Sequence, residues 1–147
     1  MAALLDVNLL LALAWPDHVH HQIANTWFSV YRSHGWATCL LTQLGFLRLS
    51  IQPNVVKSVG TMTDAQSILN ANLASEDHEF WPLDYPFAEI LPEIRQHIVG
   101  HKQLTDALLL DLAIRNNGRL ATFDRRIRSL LNPQSPHQAS IELLPFE

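Results

Sequence analysis

Cysteine is almost missing: Cys39 is the single one in 147 residues. A disulfide framework is excluded, and a reducing compartment is expected. Cys39 has no His or other base beside it in sequence, and free cysteine is among the most buried residue types, so it reads as core rather than nucleophile. Also missing is any glycine-rich phosphate loop, so nucleoside-triphosphate binding by that route is not expected. Long apolar runs are absent too. Leu9–Trp15 comes nearest, but it lacks a basic leader, is preceded by Asp6 and Asn8, stops at Pro16 and is far too short to cross a bilayer. A cytoplasmic protein with no membrane partner is therefore expected. There is no internal repeat, low-complexity tract or linker. Residues 1–147 are expected to form one domain, and that length with 48% apolar residues is enough for a real core and excludes disorder.

The net charge of −4 argues against nucleic-acid binding only as an average. Five of the ten basic residues, Arg115, Arg119, Arg125, Arg126 and Arg128, fall in one stretch, and all are arginine. Arginine grips phosphate with a planar fork. The ordinary alternative is a solvated helix face.

Along the chain, short apolar segments alternate with helical periodicity. Strands are expected at Ala2–Leu5, Trp36–Cys39, Phe80–Leu83, Arg119–Phe123 and Ser140–Leu144. Helices are expected at Asn8–Ala14, His20–Arg32, Thr42–Ile51, Asp64–Leu73 (capped by Thr63), Thr105–Asn116 and Arg125–Leu131, with a mixed helical segment at Pro86–Ile98 and a loop at Pro53–Met62. His34-Gly35, Asn117-Gly118 and Asn132-Pro133 read as helix stops. The alternation predicts an α/β fold, with a mostly parallel sheet of four or five strands and helices on both faces.

Asp6, Asp106 and Asp124 share one kind of setting. Asp6 and Asp124 each follow an apolar strand-like run and open a helix, and Asp106 begins an apolar helix. Each one alone is explained as an N-cap or first-turn residue. Together they point to one place, because a parallel α/β sheet collects ligands at the carboxyl ends of its strands. Carboxylates gathered there repel unless a cation screens them. Mg²⁺ and Mn²⁺ prefer oxygen ligands and suit the activation of water against a phosphodiester.

Four blocks in order, LLDVNLLLALAWPDHVHH, TCLLTQLGFLRLS, LTDALLLDLA and GRLATFDRRI, resemble the PIN-domain ribonucleases, most of all the VapC-type toxins of bacterial toxin–antitoxin pairs. The resemblance spans nearly the whole chain. It implies a PIN fold, Mg²⁺- or Mn²⁺-dependent endoribonuclease activity, a homodimer and a cognate antitoxin. Asp6, Asp106 and Asp124 match the family's acids as metal ligands and catalytic residues, and Asn8 and Thr122 match its accessory polar positions. Gln43 departs from the pattern, standing where the family commonly has Glu, so one negative charge is lost. The expected result is weaker binding of a second cation, or a slow or inactive site. Asp111, five residues beyond Asp106, points elsewhere and is not expected to replace the lost acid.

Arg48, Arg115, Arg119, Arg125, Arg126 and Arg128 are the RNA-binding candidates. Arg48 alternatively forms a structural ion pair or meets an antitoxin carboxylate. His18, His20 and His21 invite a transition-metal reading, but capping and surface packing explain them, or a place at the site's rim. Trp15, Trp27, Trp36 and Trp81 read as core or dimer contacts rather than base-stacking platforms. Two rival functions stand beside the nuclease: a scaffold that binds antitoxin or RNA without cleavage, and a metal-dependent phosphatase or DNA nuclease on a similar sheet.

Overall fold

In the computed structural model, which describes residues 1–53 and 61–145, five short strands form the sheet. They are β1 (Ala3–Leu5), β2 (Trp36–Thr38), β3 (His78–Phe80), β4 (Arg119–Thr122) and β5 (Ile141–Leu143). Their order is β3-β2-β1-β4-β5, and every neighbouring pair is parallel. Parallel neighbours require crossovers, and helices supply most of them. α1 (Val7–Ala14) and α2 (His21–Tyr31) follow β1. α3 (Leu40–Ser50) and α4 (Met62–Leu73) follow β2. α5 (Pro92–Gln96) and α6 (Leu104–Arg115) precede β4.

Side chains of β1 alternate between the two faces, and both are covered. Ala3 and Leu5 pack with Leu9, Trp15, Trp27, Trp36 and Phe46, while Leu4 packs with Trp81, Ile94, Leu109, Leu110 and Leu120. This is why β1 is buried at every position and reads as an unbroken apolar run. All four tryptophans and Cys39 lie in these two clusters, as expected of core residues.

Several boundaries differ from the sequence reading for definable reasons. β3 covers His78–Phe80 rather than Phe80–Leu83: Trp36 pairs with His78 and Thr38 with Phe80, and β2 ends there. After Trp81, whose N–H donates to Thr38 O, Pro82 has no N–H to extend a ladder. α4 is capped by Thr61, not Thr63. Thr61 Oγ1 accepts from the Asp64 N–H (3.2 Å) while Asp64 Oδ2 accepts from the Thr61 N–H (3.1 Å), a reciprocal capping box. The expected loop at 53–62 therefore ends at Thr61, and its residues 54–60 lie outside the described residues. The segment 86–98 splits into a 3-10 turn at Phe87–Glu89 and α5, because Pro92 holds Leu91 out of the helical region. Arg125–Leu130 is 3-10 rather than α. α6 closes on Asn117, which takes a positive φ of 53°, with Gly118 N–H donating to Ala113 O and Asn117 N–H to Ile114 O.

Gly45 is where the fold is tightest around the future site. A Cβ on it would sit 2.5 Å from Val7 Cγ2, so only glycine lets α3 lie this close to the start of α1. Among the described residues no helix is long and apolar enough to cross a membrane.

Candidate active site

β1 and β4 are adjacent, with Leu5 paired to Ala121, so the residues that follow them emerge together at one sheet edge. Asp6 is the first. It caps α1, its Oδ1 accepting from Val7 N–H at 2.7 Å, and its Oδ2 accepts from Thr122 Oγ1 at 2.6 Å. The capping expected of any single aspartate is thus real, but it occupies only one of the two oxygens. Asp6 is 8% exposed. Burial pushes its carboxyl above the ordinary range, Thr122 and the Val7 amide pull it down, and the negative charge of Asp124 pushes it up again.

Thr122 ends β4 fully buried and organises the edge. Its hydroxyl donates to Asp6 and accepts from Asn8 Nδ2 (3.3 Å) and from Asp124 N–H (3.0 Å). Asn8 Oδ1 in turn accepts from Phe123 N–H at 3.5 Å. Both accessory polar residues therefore hold acids in place. His20 stacks on Phe123 nearby, with ring centroids 4.8 Å apart, while His18 Nδ1 accepts from His20 N–H and His21 Nδ1 meets Ala12 O.

Asp124 caps the 3-10 turn through Arg126 N–H (3.0 Å) and receives the Arg126 guanidinium as a fork, Nε at 3.0 Å and Nη2 at 2.9 Å. That pairing holds the Asp124 carboxyl below its usual range. Asp106 lies in the first turn of α6. Burial raises its pKa to about 6, with further contributions from the charges of Asp6 and then Asp124. The three aspartates thus share one electrostatic environment. They do not form a ready-made ion cage: among the described residues no group of three or more His, Cys, Asp or Glu side chains is arranged to hold a metal ion. Arg126 takes the place of a cation on Asp124.

Gln43 hydrogen-bonds to the end of β2, Nε2 donating to Thr38 Oγ1 at 2.9 Å. Thr38 Oγ1 also meets His78 Nε2 at 2.8 Å. Neither Thr38 nor His78 stood out in the sequence. Beginning β3 at Phe80 instead of His78 hid the pairing that brings His78 onto β2.

The arginines separate into two groups. Arg125, Arg126 and Arg128 are exposed on the turn that Asp124 opens. Arg115 and Arg119 are elsewhere. Arg115 ends α6, nine residues and about 13 Å along the helix from Asp106, where it pairs with Asp111 at 2.9 Å and lies over the Tyr85 ring at 3.7 Å. Arg119 begins β4, at the opposite edge of the sheet from Thr122, and pairs with Glu142 at 3.3 Å. Both are thus engaged in ion pairs within the fold, and neither lies on the turn that Asp124 opens. Arg48 is exposed in the last turn of α3. Asp111 is buried among its own partners and does not join the acids.

A three-layer parallel α/β fold with acids gathered where the central strands end is the architecture of a PIN domain. A model of that family, the PIN domain, matches residues 3–130, and the chain belongs to this family. Its similarity lies with the VapC group. It is 42% identical over 144 residues to Ribonuclease VapC38 of Mycobacterium tuberculosis (strain ATCC 25618 / H37Rv), covering 97% of each chain. It is 43% identical over 124 residues to Ribonuclease VapC39 of the same strain, covering 84% of this chain and 89% of that one. In Rickettsia felis, a chain of the crystal structure of VapBC2 bound to a DNA fragment from their promoter has the same fold, with a TM-score of 0.60 at 19% identity over 99% of this chain and 100% of that one.

Proposed function

We propose that this chain is a divalent-metal-dependent endoribonuclease, the toxin of a type II toxin–antitoxin pair. The observation that carries the reading is the edge where β1 and β4 end, with Asp6 clamped by Thr122, Asp124 tied to the same hydroxyl through its N–H, and Asp106 in the first turn of α6 within reach of both charges. A fold keeps such acids together for a ligand that repays the repulsion, and the relatives named as ribonucleases indicate which chemistry that is.

Asp6 and Asp106 would hold Mg²⁺ or Mn²⁺, a hard ion that needs only one or two carboxylates besides water and phosphate oxygens. When bound, the ion supplies Lewis acidity and neutralises charge on the scissile phosphate. Thr122 fixes the orientation of Asp6 through its hydroxyl, and Asn8 fixes Thr122. Asp124 completes the negative edge once Arg126 turns outward. Arg125, Arg126 and Arg128, with Arg48 as an outer contact, would hold flanking phosphates. A cognate antitoxin, an RNA substrate, a homodimer and a cytoplasmic setting are parts of the same proposal, as is a single domain across residues 1–147.

The second reading is a scaffold that binds antitoxin or RNA without cutting. It is favoured by Gln43, which removes a charge and turns its amide to Thr38. Incubating the purified chain with structured RNAs and Mn²⁺ or Mg²⁺ separates the two, with EDTA and Asp6→Ala as controls. Cleavage lost in both controls supports the nuclease. Cleavage that survives both removes this mechanism, and antitoxin binding with no cleavage at any metal concentration selects the scaffold. A parallel panel of single-stranded DNA and small phosphate esters tests for a different phosphodiesterase or phosphatase.

A further inference from the structure

Thr38 is fully buried at the end of β2, and its hydroxyl meets two side chains: Gln43 Nε2 at 2.9 Å and His78 Nε2 at 2.8 Å. A carboxamide nitrogen only donates, and a hydroxyl has a single proton. Thr38 therefore accepts from Gln43, and its own proton is available to His78. When Thr38 gives that proton to His78 Nε2, the nitrogen carries a lone pair and the ring hydrogen sits on Nδ1. Burial holds the His78 ring below its ordinary pKa, which favours this neutral form.

We infer that His78 is a positioning residue for Gln43: by accepting the Thr38 proton it keeps the carboxamide nitrogen turned inward and leaves the carbonyl oxygen as the end turned away from Thr38. The opposite tautomer, with hydrogen on Nε2, makes the ring the donor and frees the Thr38 proton for Gln43. Thr38 would donate to Gln43 Oε1, and the amide would present its NH₂ group instead. Only the first arrangement offers an oxygen to a cation or to its water shell. Gln43 lies in α3, which packs through Gly45 onto Val7, the residue after Asp6. The relay thus decides whether the position that lacks the family's charge presents an acceptor or a donor. Its role toward a cation rests on the nuclease reading above; the relay itself does not.

The relay makes a specific demand on Gln43→Glu. A carboxylate can only accept, so Thr38 must donate to it and His78 must move its hydrogen to Nε2. Two-bond ¹⁵N–¹H correlation on the full chain reads the tautomer directly. The expected result is Nδ1–H in the wild type and Nε2–H in Gln43→Glu, with the switch lost when Thr38→Val is added. Nε2–H in the wild type, or one tautomer in both proteins, overturns the relay. Calorimetry with Mn²⁺ tests the positioning role. His78→Phe should weaken binding about 10-fold with Gln43 present and have no effect in a Gln43→Ala background. Equal losses in both backgrounds, or none in either, overturn it. If the wild type neither binds Mn²⁺ nor cuts RNA, the nuclease reading and the positioning role fall together, and the tautomer measurement still decides the relay.

Discussion

Asp106 and Asp111 share helix α6, five residues apart, and have opposite surroundings. Asp111 is 2% exposed and accepts from Tyr85 OH (2.9 Å), Leu91 N–H (2.8 Å) and Arg115 Nε (2.9 Å). Every lone pair direction that matters is used, and the result is a fastener between α6 and the segment leading into α5. Asp106 has no hydrogen-bond donor among the described residues, and the charges that act on it are those of Asp6 and Asp124, partly offset by Arg126. One acid is satisfied by the fold, and the other is left to be satisfied from outside. Burial alone does not distinguish a structural carboxylate from a functional one; its partners do.

The sharpest way to break this contrast is to neutralise each region in turn. Asp6→Asn keeps the shape of the side chain and should reduce RNA cleavage on the order of 1,000-fold, since a lost cation forfeits several kcal/mol at about 1.4 kcal/mol per tenfold. The same variant should melt no lower than the wild type in EDTA, because a repelled buried charge has been removed. Cleavage within tenfold of wild type would erase the distinction between the two regions.

Asp111→Ala should do the reverse. It leaves the Tyr85 hydroxyl and the Leu91 amide without their acceptor, a loss of about 3 kcal/mol in urea unfolding, with Mn²⁺ affinity unchanged. Equal stability would show that this acid is not the fastener described.

The pH dependence of stability gives a smaller signal of definite sign. A carboxyl whose folded pKa is raised binds more protons folded than unfolded, so its contribution is fully present at low pH and is lost as pH rises. For Asp106 that window runs from 3.8 to about 6, and Asp6 acts in the same direction. In EDTA the melting temperature should therefore fall across this window more steeply in the wild type than in Asp106→Asn, and saturating Mn²⁺ should reduce the difference. Parallel curves in the two proteins would deny the repulsion.

The smallest effect concerns the arginines. Each of Arg125→Ala, Arg126→Ala and Arg128→Ala should lower the salt slope of RNA binding by about 0.7, one single-strand phosphate contact each. Arg115→Ala and Arg119→Ala should leave it unchanged, because both side chains are engaged in ion pairs away from the acids. A uniform effect of all five would restore the single basic patch that their spacing suggests.

The alternation of apolar runs and helical stripes carried the sheet, and strand–aspartate–helix junctions carried the acids, because both are local patterns that burial imposes on sequence. Other features were not local. The start of β3 depends on register with β2, so His78 and its contact with Thr38 were hidden. The division among the arginines depends on Asp111 and Glu142, which meet them only in the folded chain. The fork of Arg126 on Asp124 depends on a tight 3-10 turn where sequence suggested an α-helix. The approach of α3 to α1 was likewise hidden, because only coordinates show that the neighbour of Gly45 is Val7.

The first strand lies in the middle of the sheet, with β2 on one side and β4 on the other. Asp6 is made 116 residues before the hydroxyl that orients it. A ribosome-bound fragment that ends before Thr122 therefore carries one acid without its clamp and without Asp124. The edge is therefore assembled only after translation has passed the fourth strand.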